Sequence, residues 1–272
     1  MRETDYGSEE FLRACRLAAA CREIEGMGLM ASWKRLRGSA PLALYHRRLP
    51  VTELWLTHSP QGRMIAEHFA IRAGSRFRYR TAQGVLTLPD DFADYKRGRH
   101  RQALRTNIGH ARREGLAVHA YAVDNWLPGV GDTRRDAIGQ GPIERWMVVA
   151  ADGSPVADSI LSVDREVALL HGLRSFAPNA RWLLHAAIVE RLCGDCGLLV
   201  TNSEPSYLIS AGNQYFQRLL GFQISQIRVS PSAAPPPATS THPAGLRWPP
   251  DEPFTCGIAP VVRQPEPALV GS

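Results

Sequence analysis

The sequence predicts an α/β (α+β) fold in which a mixed sheet is flanked by helices. Two turn signals, Asp152-Gly153 and Asp164-Arg165, separate three short apolar runs, a pattern typical of an antiparallel meander. Further along, helical stretches alternate with extended runs, which favours a sheet covered by helices. The last helical stretch, "GNQYFQRLLGF" over 212–222, ends at Gly221, a residue suited to the left-handed conformation at a helix C-terminus.

The N-terminal part predicts one helix followed by extended segments. Ser8 is a suitable N-cap, and the helix is expected to run to about Arg37. Pro, Gly and Ser then separate five apolar stretches within 40–88, each predicted to be extended. They read "PLALYHRR", "TELWLTHS", "MIAEHFAIRAG", "SRFRYR" and "GVLTLP".

A second helical region is predicted over 89–114. Its apolar face has the spacing i, i+4, i+7 and consists of Leu104, Ile108 and Ala111. Gly115 is placed to end the helix, and the alternating run 116–123 predicts a strand. The turn-rich segment 124–143 predicts a loop.

The C-terminal half predicts the order β-β-β-α-β-α-β. Three strands connected by the two turns precede a helix from Asn179 to Leu192, a buried strand, the helix 212–220 and a final strand. Beyond these the chain is rich in proline and small residues, which predicts a disordered tail. The expected division is therefore 1–84, 85–229 and 230–272.

Composition is that of an ordinary globular protein, with 44% hydrophobic and 21% charged residues among 272. No apolar run has the length of a membrane span, and the N-terminus has no apolar signal region, so we expect a cytoplasmic protein. The net charge of +6 is carried by arginine, since the only lysines are Lys34 and Lys96. Arginine suits phosphate binding, but such a bias also arises from genomic base composition.

The 5 cysteines predict reduced thiols, because their number is odd and the chain has no signal peptide. Cys193 and Cys196 have the spacing of a redox or zinc motif. They follow a predicted helix instead of preceding one, and no second ligand pair accompanies them. We therefore expect buried small residues and no metal site.

From about 145 to 229 the chain resembles the GNAT acyltransferase superfamily. The segments that carry the resemblance are "ALLHGLRS", "FAPNARWLLHAAIVERL", "LLVTNSEP" and "GNQYFQRLLGF", in that order. The preceding "LPDDFADYKRGRHRQALRTNIGHARREGLAVHAY" is similar to the basic helical segment of Fem-type peptidyltransferases, a branch of the same superfamily. The resemblance implies a splayed strand, a following helix that holds the acyl donor, and a closing helix and strand. The Fem-type branch usually carries two GNAT-like halves, so 1–84 is either a partial first half or a separate domain.

The resemblance implies an acyl-CoA or charged tRNA donor and an amine acceptor, either a small molecule or a peptide. The family's phosphate loop, Q/R-x-x-G-x-G/A, is matched here at Arg174, whereas Ala177 and Asn179 stand at the glycine positions. Pro178 also lacks an N–H donor, so the loop is degenerate for coenzyme A. The donor-binding candidates are Arg174, Ser175, Asn179 and Asn213.

Three residues are candidates for catalysis, each with an alternative. His171 lies in the middle of the presumed splayed strand and is either a base or a core residue. Glu204 follows the buried strand at its C-terminal end and is either a base or a solvated loop carboxylate. Tyr215 lies near the position of the family's acid, where this chain has Gln217, and its alternative role is core packing.

The basic helix provides a third group of candidates. Arg101, Arg105 and Arg112 lie near one stripe, which suits contact with phosphate or with a tRNA backbone. The alternative is a solvated charged face, and no aromatic residues are interleaved there for base stacking.

Three functions remain open from the sequence. The leading hypothesis is an N-acyltransferase that moves an acyl or aminoacyl group directly onto an amine, since no nucleophile–base arrangement suggests a covalent intermediate. The first alternative is a catalytically inactive GNAT-like module that binds a nucleotide or RNA. The second is an accessory protein whose proline-rich tail recruits partners.

Overall fold

The computed structural model describes residues 8–25, 40–73, 81–123, 143–201, 206–231, 255–256 and 259–260. The helices are α1 (Glu9–Glu25), α2 (40–48), α3 (Pro60–Ala73), α4 (Phe92–Tyr95), α5 (Gln102–Arg113), α6 (Ala180–Leu192) and α7 (Ala211–Leu219). The strands are β1 (Val51–Leu56), β2 (Ala82–Thr87), β3 (Ala117–Val123), β4 (Ile143–Val149), β5 (Pro155–Asp164), β6 (Val167–Ser175), β7 (Leu198–Thr201), β8 (Gln223–Pro231), β9 (Thr255–Cys256) and β10 (Ala259–Pro260). The "SRFRYR" stretch and nearly all of the predicted loop and tail lie outside the described residues.

The first eight strands form one mixed sheet in the order β1-β8-β2-β7-β6-β5-β4-β3. Pairing is parallel between β1 and β8 and between β6 and β7, and antiparallel elsewhere in the sheet. The predicted fold class is therefore confirmed: a mixed sheet flanked by helices. The meander β4-β5-β6 and the helix–strand units after it occur where the turn signals and apolar periodicity predicted them.

The N-terminal region contributes more helix than the sequence predicted. Strands β1 and β2 are present, but "PLALYHRR" lies in α2 and residues 64–73 of "MIAEHFAIRAG" lie in α3, so the two extended predictions are wrong. In α3 the buried residues Ile65 and Phe69 are four positions apart, which is helical spacing. The predicted boundary between residues 84 and 85 lies within β2, and the division into domains stays a prediction.

Two hydrophobic cores cover the two faces of the sheet. The larger contains residues of α1, α5, α6 and α7, with Ala168 and Leu170 of β6. The smaller lies under α3 and takes Val167 and Leu169 from the same strand. This alternation is the period of two expected of a strand that is buried on both faces.

A β-bulge interrupts the alternation of β6. Ile160 pairs with Gly172 while Leu161 pairs with Leu170, so His171 is the extra residue. Beyond the bulge the phase is reversed, and Leu173 packs on the larger core. In a regular strand, Leu169, His171 and Leu173 would share one face, and the bulge moves Leu173 to the other face because it shifts the period by one residue.

The basic segment before β3 is divided into three pieces. Asp91 caps α4, with its carboxylate accepting from the Ala93 N–H at 2.9 Å, and Gly98 (φ 92°) breaks the helix before a 3-10 turn at Arg99–Arg101. The predicted buried face of Leu104, Ile108 and Ala111 is confirmed in α5. No helix in the described part of the chain is both long and apolar enough to cross a membrane.

Candidate functional site

A cavity of about 550 Å³ lies beside β6, near the last described residue of β7, Thr201. Within the described part of β7, the last pair with β6 is Leu170 opposite Thr201. Residues 172–175 of β6 pair with β5, and Gly172, Leu173 and Ser175 among them line the cavity. Strand backbone carries N–H and C=O groups that an amide-bearing chain can pair with.

Helices α6 and α7 complete the cavity. Its lining comprises Leu170, Gly172, Leu173, Ser175, Phe176, Ala177, Pro178, Arg181, His185, Thr201, Asn213, Phe216, Gln217 and Phe222. Only Arg181 in this set is permanently charged, and the described lining contains no carboxylate. The site therefore favours an anionic ligand.

Arg181 occupies a position that is electrostatically unfavourable for a cation. It lies in the first turn of α6, a turn without acidic residues, where the helix dipole is positive. Its guanidinium carbon is 4.6 Å from the centroid of the Phe216 ring, a cation–π contact that holds the side chain at the cavity. Among the described residues it forms no ion pair, so an anion bound in the cavity would supply the missing countercharge.

A buried hydrogen-bond network lies below the cavity. The Tyr95 hydroxyl is 2.9 Å from His185 Nε2 and 3.0 Å from the carbonyl oxygen of Leu220. A carbonyl oxygen can only accept, so both contacts are satisfied when Tyr95 donates to Leu220 and His185 donates from Nε2. His185 is therefore in the neutral Nε2–H tautomer.

Arg101 forms the outer part of this network. It is 8% exposed, its guanidinium lies 4.6 Å above the Tyr95 ring, and it donates to the Leu219 carbonyl at 2.9 Å. A side chain at Gly221 would clash with this guanidinium, since a Cβ there would lie 2.2 Å from its terminal nitrogen. Burial, together with the positive charge of Arg101, lowers the pKa of His185 to about 3.

The predicted phosphate loop is engaged in contacts within the protein. Arg174 forms a bidentate ion pair with Asp158, with N–O distances of 3.0 and 2.6 Å. Ser175 donates to the Ala177 carbonyl at 2.8 Å, and Asn179 donates to Glu114 at 2.6 Å. Ser175 lines the cavity, whereas Arg174 and Asn179 do not.

The backbone at the start of α6 is engaged only in part. The Ala180 N–H donates to Ala177, and the N–H groups of Trp182 and Leu183 donate to the Asn179 carbonyl. Pro178 has no N–H to offer. The Arg181 side chain lines the cavity and provides a cation for an anionic ligand.

Two of the three predicted catalytic residues, His171 and Tyr215, belong to the described part of the chain, and neither lines the cavity. His171 lies on the α3 face, where its Nε2 is 2.6 Å from the Ser162 hydroxyl and its ring is 6.4 Å from that of His68. Tyr215 is 54% exposed and lies outside the cavity lining, so its core-packing alternative is wrong. Glu204 lies outside the described residues. Of the predicted donor-binding residues, Asn213 does line the cavity.

The predicted arginine stripe is divided between the interior and the surface. Arg101 is turned inward and donates to the Leu219 carbonyl at the end of α7, and its contact with phosphate stays a prediction. Arg105 is exposed but donates to the carbonyl oxygens of Lys96 and Gly98. Arg112 is exposed on α5, and its contact with nucleic acid stays a prediction.

The cysteines at the end of α6 have the environment of packed thiols. Burial raises the pKa of Cys193 and the pKa of Cys196 to about 12, so both thiols stay protonated at neutral pH. The Cys196 thiol points to the Arg165 carbonyl at 3.4 Å. Within the described part of the chain, no cluster of His, Cys, Asp or Glu could hold a metal ion.

Sequence reasoning missed the two polar residues that distinguish this cavity, Arg181 and His185. The signal for Arg181 was available, because an arginine in the first turn of a helix without acidic neighbours opposes the helix dipole. His185 gave no such signal. Its importance comes from Tyr95, which lies 90 positions earlier in the chain and meets it only in the folded protein.

No protein-family model and no curated protein matches this chain. Three solved structures are similar to it in part. A conserved protein of unknown function from Bacteroides thetaiotaomicron matches with a TM-score of 0.39 and 13% identity, over 61% of this chain and 67% of that one. The C-terminal domain of a protein assigned as a lysylphosphatidylglycerol synthetase from Agrobacterium fabrum has a TM-score of 0.37 and 12% identity. L-PGS from Bacillus licheniformis has a TM-score of 0.36 and 14% identity. The matches to the Agrobacterium and Bacillus proteins each cover 53% of this chain, which spans only 58% of the length of either of those structures.

Proposed function

We propose that the chain is an N-acyltransferase that moves an acyl or aminoacyl group from a phosphate-bearing donor to an amine. The observation that carries this proposal is the cavity itself, which brings the β6 residues Gly172, Leu173 and Ser175 together with the Arg181 side chain. An amide-bearing or ester-bearing donor arm can lie along the strand backbone there. Arg181 at the same cavity then binds a donor phosphate.

The reaction needs only donor and acceptor. The amine nitrogen bonds to the acyl carbon, and the C–S bond of a thioester or the C–O bond of an aminoacyl ester breaks. The proton lost by the amine ends on the leaving thiol or hydroxyl. The protein contributes positioning, since the two reactants are held together in one cavity.

The test is thermal unfolding of the full chain with acetyl-CoA, a longer acyl-CoA or bulk charged tRNA. A ligand that binds only the native state raises stability by about 2.7 kcal/mol at one hundred times its Kd. We expect a shift with one donor class and its loss in Arg181→Gln. Arg218→Gln is the matched control, because Arg218 also lies over an aromatic ring of α7, that of Tyr215 at 5.2 Å, but outside the cavity.

The thermal shifts distinguish the two donor classes, and the variants test the arginines. A shift with acyl-CoA alone identifies a thioester donor, and a shift with charged tRNA alone identifies an aminoacyl ester. If Arg181→Gln and Arg218→Gln reduced the donor-induced thermal shift equally, the effect would be a general electrostatic one, and the proposed role of Arg181 would be overturned. If Arg174→Gln reduced the thermal shift and Arg181→Gln did not, Arg174 would be the donor-binding residue that the sequence predicted.

A second function, an inactive module that binds a nucleotide or RNA, is favoured by one observation. Gln217 lines the cavity at the position of the family's acid, and a glutamine cannot donate a proton to a leaving group. Binding of a donor without transfer of its acyl group to any of a panel of primary amines would select this function.

A further inference from the structure

Within the proposed function, the structure also indicates how the amine acceptor is held. We propose that His185, fixed in its Nε2–H tautomer by Tyr95, offers its Nδ1 lone pair to an N–H of the amine, so that the amine binds in its uncharged, nucleophilic form. This inference rests on the proposed acyl transfer but not on the identity of the donor.

The tautomer follows from the Tyr95 contacts. Since the Leu220 carbonyl can only accept, the single hydroxyl proton of Tyr95 is directed to it, and the oxygen of Tyr95 accepts from His185 Nε2. Nδ1 is then a bare acceptor. His185 is 1% exposed, yet it lines the cavity, and Tyr95 does not belong to the lining. The edge of the imidazole ring that borders the cavity is therefore the edge that points away from Tyr95.

The other polar groups of the cavity make this acceptor distinctive. Arg181 can only donate, and the side chains of Ser175, Thr201, Asn213 and Gln217 each combine a donor with an acceptor. An N–H of the acceptor amine needs a partner that accepts without donating, so that the nitrogen lone pair stays directed at the acyl carbon. Nδ1 of His185 has this property.

The charges around His185 favour the uncharged amine. Arg101 lies behind it, Arg181 lies in the same cavity, and the facing hydroxyl of Tyr95 has a pKa raised by burial. No carboxylate belongs to the described lining. Nearby positive charges disfavour an ammonium ion, so the site lowers the pKa of a bound amine without a general base. An imidazole that stays neutral at pH 7 suits an acceptor role and not a proton-removing one.

The first test is 15N NMR of histidine in the full-length wild-type chain, which needs no variant. We expect a His185 signal with a protonated Nε2 and a bare Nδ1, unchanged from pH 8 to pH 5. Titration with glycinamide, a small primary amine, should then shift the Nδ1 resonance. A protonated Nδ1 overturns the tautomer, and an Nδ1 that does not respond to glycinamide overturns the amine contact.

Tyr95→Phe tests the positioning role. We expect a mixture of tautomers at His185 and a KM for the amine raised by about tenfold, with kcat changed less, since one hydrogen bond contributes about this factor. An unchanged His185 signal in folded Tyr95→Phe overturns the positioning role.

His185→Gln supplies the activity test. Glutamine retains a donor for Tyr95 but has no acceptor at the Nδ1 position, so the amine KM should rise about tenfold while the thermal shift with donor persists. An unchanged amine KM overturns this inference and leaves the proposed transferase intact. Absence of any donor-induced shift in the wild-type chain overturns the transferase, while the NMR result still reports the tautomer.

Discussion

The two faces of the sheet both bury polar side chains but partner them differently. At the start of α3, the Asp164 carboxylate accepts from the Thr57 N–H at 2.7 Å, the Thr57 hydroxyl at 2.6 Å and the Ser59 hydroxyl at 2.8 Å. On the α6 face, Arg181 lines a cavity of about 550 Å³ without an ion pair among the described residues. A polar group satisfied by the protein stabilises the fold, whereas one directed at open space is available to a ligand.

The same contrast applies to the histidines. His171 on the α3 face has Ser162 as a hydrogen-bond partner and contacts a second histidine ring. His185 on the α6 face uses Nε2 within the protein, and the residue also lines the cavity. The α3 face is therefore expected to respond to mutation mainly in stability, and the α6 face mainly in binding.

Removing the Asp164 carboxylate should produce the largest effect on stability. Asp164→Ala leaves the N–H of Thr57 and two hydroxyls without their acceptor in a site where Asp164 is 4% exposed, so we expect a loss of roughly 3 kcal/mol. Urea unfolding measures it. The control Asp94→Ala removes an exposed carboxylate that pairs with Arg97 and should change stability by less than about 0.5 kcal/mol. Similar losses in both variants would remove the contrast between the two faces.

Acidification should weaken the fold through His185. The unfolded chain protonates this histidine below its ordinary pKa of 6.5, whereas in the folded chain burial keeps the pKa near 3. Its contribution to stability is therefore fully present above pH 6.5 and is lost toward pH 3, at roughly 1.4 kcal/mol per pH unit. Between pH 6.5 and 5 we expect wild type to lose about 2 kcal/mol relative to His185→Gln.

Urea unfolding at several pH values checks this prediction. His110→Gln is the control, because it removes a histidine that is exposed on α5 and lies outside the cavity. If the free energy of unfolding fell with pH equally in wild type and in His185→Gln, the histidine would not be held neutral by its surroundings.

Loss of the Tyr95 hydroxyl should have an intermediate effect. In Tyr95→Phe the Leu220 carbonyl and His185 Nε2 each lose a buried partner, which is expected to cost about 2 kcal/mol in thermal or urea unfolding. Tyr215→Phe removes an exposed hydroxyl and should leave both stability and transfer activity within error of wild type. A large loss of activity in Tyr215→Phe would restore the role of acid that the sequence predicted.

Neutralising Arg181 should affect binding and hardly affect the fold. Arg181→Gln loses a cation–π contact but also removes a cation from a helix N-terminus, two effects of about 1 kcal/mol or less that oppose each other. The Kd for the phosphate-bearing donor should rise at least about tenfold, because a charge-assisted hydrogen bond is lost. Isothermal titration of the variant measures both the affinity and its dependence on salt.

Local periodicity and turn chemistry were sufficient for the meander β4-β5-β6, for α5 with its buried face of Leu104, Ile108 and Ala111, and for α6. Each of these elements can be predicted from roughly ten to twenty consecutive residues, because the apolar spacing and the turn residues lie within that length. Where a short apolar run fits either period, as in "PLALYHRR" and "MIAEHFAIRAG", the sequence favoured strands and the structure has helices. Packing against the sheet decides such cases, and packing is not visible in a local window.

The fold class and the order of the C-terminal elements could be predicted from the amino-acid sequence. Which side chains face one another could be seen only in the folded protein. A bulge places His171 as an extra residue of β6, Arg101 turns inward to the end of α7, and Tyr95 meets His185 across 90 positions. Contacts between distant residues depend on strand register and on helix packing. A shift of one residue in register turns every side chain of a strand to the opposite face, and no local sequence pattern encodes that register.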